Sequence, residues 1–334
     1  MAEGDVRWGI VGAGRIAQRF ARSLAREPRS KLVAISCRSA SRAAAFAAAH
    51  GVREGDALSD EALGGVAGAA HATLVGRPDV DAVYVALPPA LHLEWSAAAL
   101  RAGKAVLCEK PLCASAEEAA LLARTAQETG MLLMEGVKTR FEPLYRHVRG
   151  LVGEGAIGRL SRVEAGLCSD MGDRVASGVD YLSDPAGGGN LFDSGIYCAA
   201  WLDDYLAEPF EVLGARGRWV RGVDTFTDAD LRSGGVTARL VTACDQGSPR
   251  EAVLVGTTGR IVVEEMHRPE RARLERVGGR DVELELPYPV DDLYGEVEHF
   301  VGLVLAGAAE SPVMPLSASL RCAELLEAVR ARLA

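Results

Sequence analysis

The sequence predicts an α/β chain: a doubly wound parallel sheet of Rossmann type over residues 1–134, then an α+β domain over 135–334 with a large, mostly antiparallel open sheet. Three observations carry this. An apolar strand containing Trp8, Ile10 and Val11 runs straight into Gly12-Ala-Gly14-Arg-Ile-Ala17, and a helix-compatible run follows from residue 15 to 26. Strand and helix signals then alternate to about residue 134. From Glu135 the texture changes to short alternating apolar runs, with few clear helices before residue 293. A length of 334 residues fits two domains better than one.

The first turn has a chemical logic. Gly12 permits the tight bend, Gly14 lets the backbone approach a pyrophosphate, and Ala17 lets helix and strand pack closely. Arg15 and Ile16 open a helix whose unpaired N–H groups and positive dipole end favour phosphate. The next strand, 32–37, ends on Arg38-Ser39-Ala40-Ser41-Arg42. A chain that reads the ribose 2′-hydroxyl of NAD usually carries an acid at that strand end. This one offers Arg38, Ser39 and Arg42, and guanidinium forks match a 2′-phosphate. The expected cofactor is NADP rather than NAD.

The remaining elements of the first half follow in order. A helix near 41–49 leads to a Gly/Ala-rich stretch, 51–75, read as a short helix at Asp60-Glu61-Ala62-Leu63 and an irregular loop. Strand 81–87 is stopped by Pro88-Pro89, and helical spacing resumes over 91–100 until Ala102-Gly103. Pro88 and His92 are placed on the wall of the nucleotide pocket. Strand 105–108 precedes a helix capped by Ser115, with Glu118 three residues on, running to Thr129, and then strand 131–134. In the second half, strand-like runs fall at 160–167, 210–220, 236–244, 250–256, 259–264, 273–277 and 282–286. Helices follow at 293–305 and 316–333, the last a candidate to pack back on the first domain.

Composition excludes several classes. Hydrophobic content of 49% and charged content of 25% are those of an ordinary globular protein. A net charge of −9 argues against nucleic acid or an anionic membrane as partner. No stretch approaches the roughly 18 apolar residues of a membrane span. The first strand begins almost at once, leaving no room for a signal peptide. Seven cysteines, scattered and without paired metal spacing, point to reduced thiols in a cytoplasm and to no metal site. The apolar surface of so many strands exceeds what a few helices cover, so the second domain is expected to self-associate through its sheet.

Two segments turn a nucleotide binder into a candidate enzyme. One is Cys108-Glu109-Lys110-Pro111-Leu112, where a hydrophobic strand delivers Glu109 and Lys110 at its carboxyl end, the edge at which open α/β sheets bind ligands. A lysine there can bond a substrate hydroxyl and stabilise charge on oxygen. The other is Gly187-Gly188-Gly189-Asn190-Leu191-Phe192-Asp193-Ser194-Gly195-Ile196-Tyr197. If that segment is one helix, Asp193 and Tyr197 project from one face. An acid, a phenol and a lysine make a proton relay for alcohol oxidation or ketone reduction. Phenol is a poor base at its ordinary pKa near 10, so a neighbouring ammonium is required. Arg140 is a further candidate for the pocket lining.

These motifs resemble the glucose–fructose oxidoreductase/inositol dehydrogenase (Gfo/Idh/MocA) family over nearly the whole chain. The resemblance extends to Asp81-Ala-Val-Tyr-Val, Gly256-Thr-Thr-Gly259 and Tyr294-x-Glu296-Val-Glu-His299-Phe300. Tyr197, Gly195-Ile-Tyr-Cys198 and Met134-Glu135 with Thr139-Arg140-Phe141-x-Pro143 look most like its dimeric dihydrodiol dehydrogenase and NADP-dependent xylose dehydrogenase branch. The resemblance implies hydride transfer between NADP and a secondary alcohol or ketone of a sugar, polyol or cyclic diol. It implies Lys110 as the anchor of the substrate hydroxyl, Tyr197 as general acid/base and Asp193 in support. It also implies a homodimer or homotetramer through the second domain's sheet. Three departures stand out: Ala105 for a common His, Pro89 for a common Asn, and Lys138 where the branch often carries an aromatic residue. Lys138, with Asn190, is expected at the substrate pocket. Two alternatives remain open: a ketoreductase of nucleotide-linked deoxysugars, and a non-enzymatic NADP-sensing regulator, whose mark would be loss of the lysine that this chain keeps.

Overall fold

The computed structural model describes residues 4–178, 181–184, 188–207 and 209–333. In chain order the elements begin with β1 (Val6–Val11), α1 (Arg15–Leu24), β2 (Ser30–Cys37), α2 (Ala40–His50), β3 (Ala57–Ser59) and α3 (Ala69–Val75). Next come β4 (Ala82–Val85), α4 (His92–Arg101), β5 (Ala105–Glu109), α5 (Ala116–Thr129) and β6 (Leu133–Gly136). The chain continues with α6 (Pro143–Gly153), β7 (Leu160–Cys168), α7 (Gly172–Ser177), α8 (Asn190–Asp193) and α9 (Gly195–Asp203). Seven strands follow: β8 (Glu211–Val220), β9 (Val223–Ser233), β10 (Val236–Ala243), β11 (Ala252–Gly256), β12 (Gly259–Val263), β13 (Arg271–Arg276) and β14 (Val282–Glu285). Two helices, α10 (Tyr294–Ala306) and α11 (Leu316–Arg330), close the chain. These elements form two compact units, residues 1–136 with 289–319 and residues 137–288 with 320–334.

The first unit holds a six-stranded sheet ordered β3-β2-β1-β4-β5-β6, parallel throughout. Its central strands β4 and β5 are buried along their whole length, which is why they read as unbroken apolar runs. Strand order reverses between β1 and β4, the place where such sheets open a crevice at their carboxyl edge. Beneath that edge Phe20 stacks on Tyr84 at 3.7 Å, and Trp8 meets Phe20 at 5.3 Å and Phe300 of α10 at 5.2 Å. Ser115 caps α5 as expected, accepting the N–H of Glu118 at 3.1 Å.

The stretch 51–75 departs from the expected short helix and loop. It supplies β3, the edge strand, and α3, whose start is held by Asp60 accepting the N–H groups of Gly68 (3.0 Å) and Ala70 (2.9 Å). Both elements are too short to show a hydrophobic period.

The second unit holds an eight-stranded sheet ordered β14-β13-β12-β11-β7-β10-β9-β8. Every neighbouring pair is antiparallel except β7 and β10, which run parallel. β9 escapes a hydrophobicity reading because its sequence carries Asp224, Asp228 and Asp230. The meaning of Asp228 is cross-strand: it pairs with Arg216 of β8 at 2.6 Å and Arg239 of β10 at 2.9 Å. α9, buried from Gly195 to Leu202, is also unannounced by any amphipathic stripe. Among the described residues no helix is long and apolar enough to cross a membrane, and no cluster of His, Cys, Asp or Glu is arranged to hold a metal.

Candidate active-site residues

At the first turn Gly12 adopts φ +106°, and a Cβ there would lie 2.3 Å from the carbonyl oxygen of Ala86. No L side chain fits either the angle or the space. Gly14 caps α1 in extended conformation with no side-chain bond, and a Cβ on it would meet nothing within 4 Å. The first turn of α1 contains no acid, Arg15 is exposed and Ile16 half-buried. Free N–H groups, a positive dipole end and clear space over Gly14 fit an anionic pyrophosphate. At the end of β2, Arg38 and Arg42 are exposed and Ser39 stands at the N-cap of α2. Arg42 donates to the Ala13 carbonyl at 3.0 Å, tying α2 to the glycine turn. Sequence reasoning missed Glu61, whose carboxylate accepts the N–H of Ala40 here.

The loop after β5 is pinned from several sides. Tyr84 donates its hydroxyl to Glu109, whose other oxygen accepts the Lys110 N–H at 3.2 Å. The Leu112 N–H donates to Glu135 at 2.8 Å. His92 lies fully buried with Nδ1 2.8 Å from the Pro111 carbonyl and Nε2 2.7 Å from that of Leu87. Burial pushes the imidazole toward its neutral form, against the pull of the two carbonyls. A neutral ring donates to only one of them, and burial is the stronger influence. His92, expected on a pocket wall, staples the Lys110–Pro111 turn to the end of β4, beside the exposed Pro88. Lys110 is half-buried on that turn.

In the second unit Asp193 and Tyr197 do not share a helix. α8 ends at Asp193, Ser194 interrupts, and α9 begins at Gly195, so the one-face geometry does not hold. Asp193 accepts a hydrogen bond from the Tyr181 hydroxyl at 2.6 Å. Tyr197 is 9% exposed, with the Lys138 Nζ 6.0 Å from its ring centre and the His267 ring edge-on at 5.9 Å. Arg268 donates to Nε2 of His267 at 2.8 Å, which leaves the proton of a neutral ring on Nδ1. His267 was not foreseen: it lies 70 positions from Tyr197, just beyond β12, in a run without a motif.

Asn190 is buried, its Nδ2 donating to Thr242 at 2.6 Å while Oδ1 finds no partner among the described residues. Below it, Asp224 accepts the Leu191 N–H at 2.7 Å, and burial raises its carboxyl to about 6. Gly189, at φ +96°, is required there, since a Cβ would stand 2.4 Å from Asp224 Oδ1; Gly187 lies outside the described residues. Arg140, a candidate for the pocket lining, is enclosed by its own partners. It is 3% exposed and donates to Asp203 at 2.6 Å and to the Ala200 carbonyl at 3.1 Å, with Arg321 joining Asp203 at 2.6 Å. Two aspartates at the negative end of α9 demand cations, and Arg140 answers that demand.

Comparison with known proteins agrees with this architecture. Residues 6–137 match the Gfo/Idh/MocA oxidoreductase family with its NAD-binding Rossmann fold, and residues 145–262 match the Gfo/Idh/MocA C-terminal domain. The chain is 31% identical over 329 residues to scyllo-inositol 2-dehydrogenase (NADP(+)) of Bacillus subtilis, covering 97% of this chain and 96% of that one. It is 32% identical over 341 residues to trans-1,2-dihydrobenzene-1,2-diol dehydrogenase of Mus musculus, again covering 97% and 96%. A 3-ketoreductase from Actinomadura kijaniata, solved with TDP-benzene and NADP, superposes with a TM-score of 0.82 at 31% identity over 99% of this chain and 98% of that one. On this full-length similarity, the chain belongs to the Gfo/Idh/MocA oxidoreductase family.

Proposed function

We propose that the protein is an NADP-dependent oxidoreductase interconverting a secondary alcohol and a ketone on a sugar, polyol or cyclic diol. The observation that carries this is the carboxyl edge of the parallel sheet, where an open glycine turn, a basic β2 end and the pinned Lys110 loop occur together. The N–H groups of Arg15 and Ile16 would hold the pyrophosphate, Arg38, Ser39 and Arg42 the 2′-phosphate, and Pro88, Glu109 and Lys110 the nicotinamide end. When bound, the cofactor accepts or supplies the hydride. Lys110 donates a hydrogen bond to the reacting oxygen and stabilises charge on it. Tyr197 takes or returns the hydroxyl proton, with Asp193 in support. A phenol that ionises during turnover needs a cation nearby, and Lys138 brings one to its ring.

The similarity to the Actinomadura ketoreductase favours one second reading, reduction of a keto group on a dTDP-linked deoxysugar. The seven buried thiols suit a reducing cytoplasm, and exposed Leu213, Trp219 and Val220 on β8 suit a homo-oligomer formed through the second sheet. The test is a substrate panel followed at the nicotinamide absorbance with NADP and NAD in turn. scyllo-Inositol, benzene dihydrodiol and aldoses represent the first reading, and dTDP-ketodeoxysugars the second. Turnover with a free polyol, sugar or diol supports the first. Tight NADP binding without turnover on any compound would identify a sensor and overturn both.

A further inference from the structure

β3 pairs in parallel with β2, Ile35 opposite Ala57, Ser36 opposite Leu58 and Cys37 opposite Ser59. That register delivers Asp60 and Glu61 beside Arg38 and Ser39, and the backbone confirms the placement. The Asp60 N–H donates to the Cys37 carbonyl and the Glu61 N–H to the Arg38 carbonyl, both at 3.2 Å. The two acids then part. Asp60 turns inward, 5% exposed, and holds the start of α3. Glu61 stays exposed, and its Oε2 accepts the N–H of Ala40, the first residue of α2, at 2.8 Å. Ser39, although at the N-cap, accepts no helix N–H with its side chain; its hydroxyl meets that of Ser41 at 3.0 Å. A carboxylate from the turn after β3 therefore bonds the free N–H at the start of the helix.

We propose that Glu61 is a cofactor-discriminating residue, whose carboxylate at the start of α2 lowers the preference for NADP over NAD set by Arg38, Ser39 and Arg42. The inference rests on the assignment of those three residues to the 2′-phosphate. A phosphate monoester there carries roughly −1.5 to −2 charges, so it meets a like charge already bonded to the helix N–H. NAD carries a hydroxyl at the same position and escapes that repulsion. It can instead donate to a carboxylate. The acid that dinucleotide-binding chains usually place at the end of β2 is thus supplied in part by β3, opposing the basic residues next to it.

The test uses the full-length protein and the dissociation constants of NADP and NAD, measured by titration calorimetry at low and high salt. Glu61→Gln keeps an oxygen to accept the Ala40 N–H and removes only the charge. It is expected to tighten NADP about two- to fivefold at low salt, the scale of one exposed charge pair, and to leave NAD unchanged within error. The gain should shrink in 0.5 M salt, where the screening length falls to roughly 4 Å. An unchanged NADP constant in Glu61→Gln, with the parent chain binding NADP well, overturns the inference and spares the cofactor assignment. Equal loss of both cofactors in Glu61→Gln and Glu61→Ala would reveal a cap and nothing more. A parent chain that binds neither nucleotide would overturn the cofactor assignment itself.

Discussion

At the glycine turn the groups that matter are backbone N–H donors, a forced φ of +106° at Gly12 and side chains within a few positions of a strand end. Around Tyr197 they are side chains drawn from distant segments: Lys138 from the turn before α6 and His267 from beyond β12. The first region is specified by local chain geometry, so one substitution there should alter one contact. The second is a packed polar assembly in a buried setting, so substitutions there should disturb folding and chemistry together.

The largest expected effect tests the packed character of the second region. Replacing Arg140 with Met leaves Asp203 to Arg321 alone and Asp204 to Tyr145 and Arg149, and should cost about 3 kcal/mol of unfolding free energy. A urea midpoint within error of the parent would show that the buried pair contributes nothing.

Tyr197→Phe keeps the ring and removes the transferable proton, so turnover should fall at least about 100-fold with NADP affinity little changed. Lys110→Met should lose a similar factor. If both serve the reacting oxygen as proposed, the double variant should lose far less than the product. Near-normal steady-state turnover by Tyr197→Phe would assign the proton transfer elsewhere.

In the first region, Arg38→Ala should weaken NADP by about 1.5–3 kcal/mol, the worth of a charge-assisted bond, while NAD barely moves. Fluorescence titration with both cofactors decides it. Equal affinity of the parent for the two would break the contrast at its locally specified end.

The smallest effect concerns Asp224. Its carboxyl is raised by burial to about 6, above the value near 3.8 of an unfolded chain. The folded state therefore binds the proton more tightly. The stability that this supplies, about 3 kcal/mol in full, is present below pH 4 and is lost as pH rises through 6, about 1.3 kcal/mol of it between pH 5 and 7. Unfolding curves at pH 4, 5 and 7 should show Asp224→Asn lacking that decline. Parallel pH profiles for variant and parent would mean that Asp224 titrates normally.

The sequence alone determined the parallel sheet, the glycine turn, the basic end of β2, the Glu109-Lys110-Pro111 loop and the antiparallel character of the second sheet. Each depends on near neighbours: strand periodicity, a glycine where φ must be positive, or a residue type just past a strand. Tertiary structure decided the rest. It split Asp193 and Tyr197 between two helices, made His92 a staple and turned Arg140 from a candidate pocket residue into the clasp of α9. It brought Phe300 of α10 onto Trp8 in the first unit's core, and it set Glu61 against Ala40 through the register of a strand only three residues long. A polar or charged side chain carries no periodic signal of its partner. That partner is chosen by which strands pair and which helix ends need charge, and both are settled only when distant segments pack.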